Sequence, residues 1–217
     1  MASSTVEAEV RDELLWDPKV DSEAVAVAVG AKGAVTLRGT VGSYRQKTEA
    51  AKAAQRVRGV TNVDNQLEVR LLTDHRRDDA ELRGDVLQAL MLDSLIPSTV
   101  DASVKDGVVT LTGTADWQYQ RAEAEFVAAN LLGVVDVEDG IYLNSLGPHA
   151  DDIESRITRA MQRDAKLDAD EVTASADKGV VTLKGTVRSW AERDDAVAAA
   201  WAAPGTVDVV DDLSVFY

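Results

Sequence analysis

The sequence predicts an α+β fold made three times over: three tandem α-β-β-α-β modules, each with two helices packed on one face of a three-stranded mixed sheet. Three observations lead there. A glycine-flanked strand recurs as Gly33-Ala-Val-Thr-Leu-Arg-Gly39-Thr-Val41, Gly107-Val-Val-Thr-Leu-Thr-Gly113-Thr-Ala115 and Gly179-Val-Val-Thr-Leu-Lys-Gly185-Thr-Val187, with first glycines 74 and 72 residues apart. A third glycine follows 20 residues after each second one, at Gly59, Gly133 and Gly205, and Val63, Val137 and Val209 come four residues later. Within each copy the hydrophobic period changes in the same order. The registers divide the chain into modules 1–74, 75–147 and 148–217, each near the lower size limit for a self-sufficient core.

Each module opens on a helix. Val6, Val10, Leu14 and Leu15 form its apolar stripe in the first copy, Leu82, Val86, Leu87 and Leu90 in the second, Ile153, Ile157 and Met161 in the third. Spacings of three and four place such residues on one helical face. Alternation follows at Val25/Val27/Val29, Val100/Ala102/Val104 and Val172/Ala174/Ala176, the period of a half-buried strand. A tight turn leads to the second strand, where Val35/Leu37, Val109/Leu111 and Val181/Leu183 point inward. Gly33, Gly107 and Gly179 fit the positive φ of a hairpin turn. An alanine-rich helix comes next, and its small side chains imply close approach to the sheet. Gly59, Gly133 and Gly205 stand where the left-handed residue directly after a helix is expected. A right-handed crossover then carries the chain to a last strand with Val63/Leu67/Val69, Val137/Ile141/Leu143 and Val209/Leu213/Val215 inward.

Composition removes whole classes of chemistry. The 217 residues contain no cysteine, so disulfides, thiolate nucleophiles and cysteine-held metals are absent. The net charge of −15 repels nucleic acid at long range. No apolar run approaches the ~20 residues of a membrane helix. The first residues lack the basic and apolar regions of a secretory signal, which leads to an expectation of a cytoplasmic protein, with a trimmed exported one as the alternative.

The pattern Gly-x-Val-x-Leu-x-Gly-x-Val, then an alanine-rich helix, Gly-Val and Val-x-Asn-x-Leu, resembles the BON domain. The first copy carries all of it, in Gly33, Val35, Leu37, Gly39, Val41, Gly59, Val60, Val63, Asn65 and Leu67. The second departs at Ala115 and Asp139, the third at Thr206 and Asp211. The resemblance spans nearly the whole chain and implies a non-enzymatic module that contacts partner proteins or phospholipid surfaces in envelope or stress settings. The motif residues are structural, so they speak for the fold before they speak for function.

No catalytic set stands out. His75 and His149, the only histidines, lie in the joints between modules and read as solvated linker residues. Asp168-Ala-Asp170-Glu171 lacks the glycine and terminal glutamate of a calcium loop. Gly30-Ala-Lys-Gly33 joins two strands, unlike the helix-joining clamp of an RNA-binding module. Neither metal nor cofactor is expected.

Surfaces are the better candidates. Tyr44, Trp117 and Trp190 open the second helix of each copy, either as anchors for a partner or as staples over the helix start. Trp201 reads as core. Residues 1–75 carry ten basic and eleven acidic side chains, against five and 13 in 76–147 and eight and 14 in 148–217. Arg45, Lys52 and Arg56 fall on one side of the first copy's second helix, which gives that copy alone a basic row worth roughly 3 kcal/mol at an anionic bilayer. The first strand of the first copy is apolar on both faces, so Ala24, Ala26, Ala28 and Ala34 are expected to be covered by a neighbouring copy or a second chain. The leading functional reading is a scaffold or adaptor acting by protein–protein contacts or self-association. The alternative is a peripheral binder of anionic phospholipid through the first module.

Overall fold

Repeat one shows why the pattern folds as it does. Helix α1 (Ala2–Trp16) turns Val10 and Leu14 into the core, while Leu15, one residue past the stripe, is 77% exposed. The expected stripe is therefore narrower by that residue, because 100° of helical rotation carries it off the buried face. Strands β1 (Val25–Val29) and β2 (Ala34–Val41) pair antiparallel, and β3 (Asn62–Val69) pairs parallel to β2 after helix α2 (Tyr44–Arg56). Val10, Leu14, Ala50, Ala53 and Ala54 from the helices share one buried cluster with Val27, Val35, Leu37 and Leu67 from the sheet, which places both helices on the same sheet face.

The order repeats in α3 (Asp79–Leu92), β4 (Asp101–Lys105), β5 (Val108–Ala115), α4 (Gln118–Ala129) and β6 (Asp136–Leu143). It repeats again in α5 (Ala150–Arg163), β7 (Val172–Asp177), β8 (Val180–Val187), α6 (Trp190–Trp201) and β9 (Asp208–Val215). The three sheets have the orders β1-β2-β3, β4-β5-β6 and β7-β8-β9. This computed structural model describes residues 2–72, 75–144, 150–163 and 171–216, without the side chains of 2–4 and 150–152; His149, Asp168 and Asp170 lie outside the described residues. The backbone separates into two compact units, residues 1–113 with 122–140, and 114–121 with 141–217.

Turn chemistry explains two sets of glycines. The hairpins turn through Lys32-Gly33, Asp106-Gly107 and Lys178-Gly179, and each pair has two consecutive positive φ values, from 50° to 86°. That is the turn whose twist matches paired strands. Gly59, Gly133 and Gly205 also have positive φ, but not as the residue directly after the helix cap. Helix α2 is capped at Val57, and Gly59 is the third residue of a turn closed by Val60 N–H on the Val57 carbonyl at 3.2 Å. Positive φ at the third position marks the turn type that favours glycine there. Pro204 before Gly205 presets the same turn in repeat three, closed by Thr206 N–H on the Ala203 carbonyl at 3.1 Å.

The second helices start on side-chain caps. Ser43 Oγ accepts from Gln46 N–H at 3.2 Å and Ser189 Oγ from Glu192 N–H at 3.1 Å. Glu192 Oε2 in turn accepts at 2.6 Å from the backbone N–H of Arg188, the residue before the cap. These caps fix where the first turns of α2 and α6 point.

Candidate interaction surface

The first turn of α2 faces repeat two. The Arg45 guanidinium lies 4.9 Å above the Phe126 ring of α4, within the range of a cation–π contact. Lys47 Nζ stands 4.0 Å from an Asp136 carboxylate oxygen at the start of β6. The Tyr44 hydroxyl hydrogen-bonds Asp136 and the Val137 backbone; burial first, then the charges of Asp136 and Glu125, push its pKa up to about 12. All of these residues belong to one compact unit. Two side chains expected on a binding surface, Tyr44 and Arg45, thus join two repeats. Phe126, which sequence reasoning passed over, is their counterpart. Its signal was a large aromatic on the side of α4 away from buried Ala124 and Ala128.

The expected inter-repeat face does not behave as predicted. Ala24, Ala26 and Ala28 are exposed and Ala34 is half-buried. Among the described residues of their own compact unit nothing covers them, so that half of the expectation is corrected. Alanine buries little area and gives weak drive to cover the face, whereas Phe126 and Tyr44 bring large rings.

The basic row is present but occupied. Glu49, 3% exposed, accepts from Lys19 Nζ at 2.9 Å, pairs with Arg45 at 3.0 Å and has Lys52 at 3.6 Å. Burial pushes the Glu49 carboxyl up, but the Lys19 hydrogen bond and the charges of Lys52 and Arg45 outweigh it and hold its pKa below 4.5. Arg56 donates from Nε to Glu13 at 2.7 Å and from Nη2 to Asp17 at 2.8 Å. The Arg56 hydrogen bond, helped by the Lys19 backbone N–H, holds the Asp17 carboxyl below 3.8. The same bonds push the Arg56 guanidinium up. Lys52 and Arg56 face water as expected and Arg45 is half-buried, but the row's charge is largely balanced within repeat one, because carboxylates of α1, of the residue just past it and of α2 itself sit beside it.

The aromatics at the helix starts diverge. Trp190 is half-buried against the core of repeat three, with the Arg193 guanidinium 4.8 Å from its ring, as a staple requires. Trp117 is 39% exposed. Trp201, expected in the core, is half-buried, with Arg121 5.4 Å from its ring. Tyr142 and Phe216 are exposed, as their strand phase predicts. Among the described residues no three His, Cys, Asp or Glu side chains gather to hold a metal ion, and no helix is long and apolar enough to cross a membrane. His75 sits in the joint, where its N–H donates to the Leu72 carbonyl at 2.9 Å.

Comparison with known proteins agrees with the repeat. A family model described as "BON domain" matches residues 2–70, 78–144 and 149–215. The chain is 34% identical over 146 residues to the osmotically-inducible protein Y of Escherichia coli (strain K12), covering 65% of this chain and 72% of that protein. Among solved structures, the C-terminal domain of CdsD, a structural protein of the type III secretion system of Chlamydia trachomatis, is 13% identical with a TM-score of 0.28, covering 97% of this chain and 96% of that one. The PrgH periplasmic domain is 10% identical with a TM-score of 0.24, covering 95% and 99%. Scores this low carry no argument about fold or role.

Proposed function

We propose that this chain, which belongs to the BON domain family, is a non-catalytic scaffold or adaptor that acts by protein–protein contacts in a stress response. The carrying observation is the first turn of α2, where Tyr44, Arg45 and Lys47 are all spent on recognising protein, namely Phe126 and Asp136 of the next repeat. The groups with shifted pKa values, Asp17, Tyr44, Glu49 and Arg56, serve contacts between helices or between repeats. The name of the Escherichia coli relative, an osmotically inducible protein, supports a setting of osmotic stress. Trp117, at the corresponding helix start in repeat two and exposed, is the best-placed anchor for a partner.

The phospholipid reading through repeat one has weaker support. Lys19, Arg45, Lys52 and Arg56 share Glu13, Asp17 and Glu49, which leaves a surplus of a single charge. A single cation near an anionic bilayer is worth about 1 kcal/mol, which is too little to hold a protein there.

A photo-crosslinking amino acid at position 117 of the full chain tests the scaffold reading. Discrete protein adducts that increase after osmotic shock are expected, with no co-sedimentation on phosphatidylglycerol vesicles. Salt-sensitive vesicle binding that is lost on Arg45→Glu, Lys52→Glu and Arg56→Glu together, with no protein adduct, would overturn it. Because these three residues are ion-paired, circular dichroism of the triple variant must accompany the measurement.

A further inference from the structure

Helix α3 is apolar on two sides. Leu82, Val86 and Leu90 are buried in the core of repeat two. Gly84, Leu87 and Met91 follow one another at intervals of three and four, so they share a second face. Leu87 is half-buried, Met91 and Leu92 are 80% and 75% exposed, and Leu95, just past the helix, is exposed as well. Apolar side chains on more than one side of a helix are the mark of a helix covered on more than one side, yet here the second side stands open.

The face belongs to repeat two. Val86 and Leu90 correspond to Val10 and Leu14 of α1 and to Ile157 and Met161 of α5, all of them buried. By that alignment Gly84, Leu87 and Met91 correspond to Ala8, Arg11 and Leu15 in repeat one, and to Ser155, Thr158 and Gln162 in repeat three. Arg11 is paired with Glu7 at 2.7 Å, and the Thr158 hydroxyl donates to the Glu154 carbonyl at 3.0 Å. Those two helices finish the middle of the face with polar groups of their own, whereas α3 sets a leucine there.

Gly84 adds a second observation. Inside a helix glycine is the least favourable residue except proline, and it is kept where the backbone needs positive φ or a close approach. Gly84 has no positive φ, and a Cβ built on it would meet nothing within 4 Å. The fold of repeat two therefore does not require it. A gap in the row of side chains next to Leu87 and Met91 is what an incoming helix fills when ridge packs into groove.

Charge selects the partner. Arg83 donates to the Ala102 carbonyl at 2.8 Å and lies 3.4 Å from Asp101, and Arg77 lies 3.3 Å from Asp85. Glu81 on the helix and Asp93 just past it have no cation against them among the described residues. Residues 76–147 carry five basic and 13 acidic side chains. A second copy of so acidic a module would set like charges against one another, which works against association.

We propose that α3 docks a helix of a partner protein, one with aliphatic side chains along the contact and lysine or arginine beside them. The partner backbone crosses at Gly84, its aliphatic side chains pack on Leu87 and Met91, and its cations answer Glu81 and Asp93. This rests on the adaptor reading above and gives that reading a partner chemistry.

The test uses the full chain and a fluorescent helical peptide with leucine on one face and lysine beside it. Saturable binding is expected, weakened at least tenfold by Met91→Gln and by Gly84→Gln. Leu15→Gln, at the corresponding place of repeat one, should leave it unchanged. Glutamine is the better helix former, so Gly84→Gln should not lower the melting temperature, and exposed Met91 can be exchanged without touching the core. Glutamate in place of the peptide's lysines should abolish binding. Absence of saturable binding, binding indifferent to both variants, or equal binding of the glutamate peptide overturns the proposal. So does a dimer of the chain alone that Met91→Gln dissociates, or Met91-dependent binding to phosphatidylcholine vesicles, because each names a different occupant. Protein adducts from position 117 alongside any of these results would keep the adaptor reading and remove only this site.

Discussion

Repeats one and three use one position of the last strand to opposite ends. Asn65 pairs across the sheet with Leu37, and Asp211 with Leu183, so the two are equivalent. In repeat one the Asn65 amide donates to the Lys47 backbone carbonyl at 2.7 Å, and the Lys47 side chain is left to reach Asp136 of repeat two. In repeat three Asp211 has no N–H to donate; it accepts from Arg193 Nε at 2.7 Å and ties that cation down inside its own repeat. Lys47 and Arg193 occupy the same place in their helices. Exchanging an amide for a carboxylate therefore decides whether a helix-start cation works within a repeat or between repeats.

The comparison can be broken hardest at Arg56. Arg56→Ala strips Asp17 and Glu13 of their partner and should destabilise repeat one by about 2 kcal/mol, the cost of losing a charged hydrogen bond at a half-exposed donor. Hydrogen exchange of α1 and α2 amides measures it. Two carboxyls of repeat one set its acid limb. Asp17 and Glu49 are held below their ordinary values of 3.8 and 4.5, so the unfolded chain takes up protons first. Their stabilisation is in place above those values and is lost as pH falls through the lowered ones. Arg56→Ala should flatten the Asp17 part of that loss and leave the Glu49 part.

Asn65→Asp comes next. It removes the donor to the Lys47 carbonyl and offers Lys47 a carboxylate at home. A loss of about 1.5 kcal/mol in repeat one is expected, with Lys47 Nζ withdrawn from Asp136, which lysine side-chain NMR would detect. The reverse change, Asp211→Asn, frees Arg193 and should cost about 1 kcal/mol or less, because the pair is only part-buried. If both substitutions leave exchange rates unchanged, the position does not have the role assigned to it.

Tyr44→Phe is the gentlest probe. Near neutral pH a change of about 0.5 kcal/mol is expected, the low end for one hydrogen bond. The sharper signature is alkaline. Tyr44 is raised from 10 to about 12, so its contribution holds below pH 10 and is lost as the pH climbs from 10 to 12. Tyr44→Phe should remove that step from an alkaline titration of the repeat one–repeat two contact.

Much of this could be read beforehand because it rests on local rules. The stripe of Val10 and Leu14, the alternation through Val35 and Leu37, and the paired positive φ at Lys32-Gly33 follow from helical and strand periods and from turn sterics. The candidate surface was legible only in part. Tyr44 and Arg45 were singled out, but their counterpart Phe126 lies about 80 residues away in sequence, where no local period reaches. Counting charges along α2 found the basic row and missed Glu13 and Asp17, which stand on α1 and just past its end.

The sequence by itself determined the threefold module, the order of its elements and most residues of its cores, because burial and backbone sterics act between near neighbours and repeat with the chain. Tertiary structure alone decided which charges are spent. A cation on a helix face is closed into an ion pair or left to the surface according to what the neighbouring segment sets opposite it, as Glu13 and Asp17 stand before Arg56. That choice depends on distances of a few ångströms between segments distant in sequence, over which electrostatic energies change steeply.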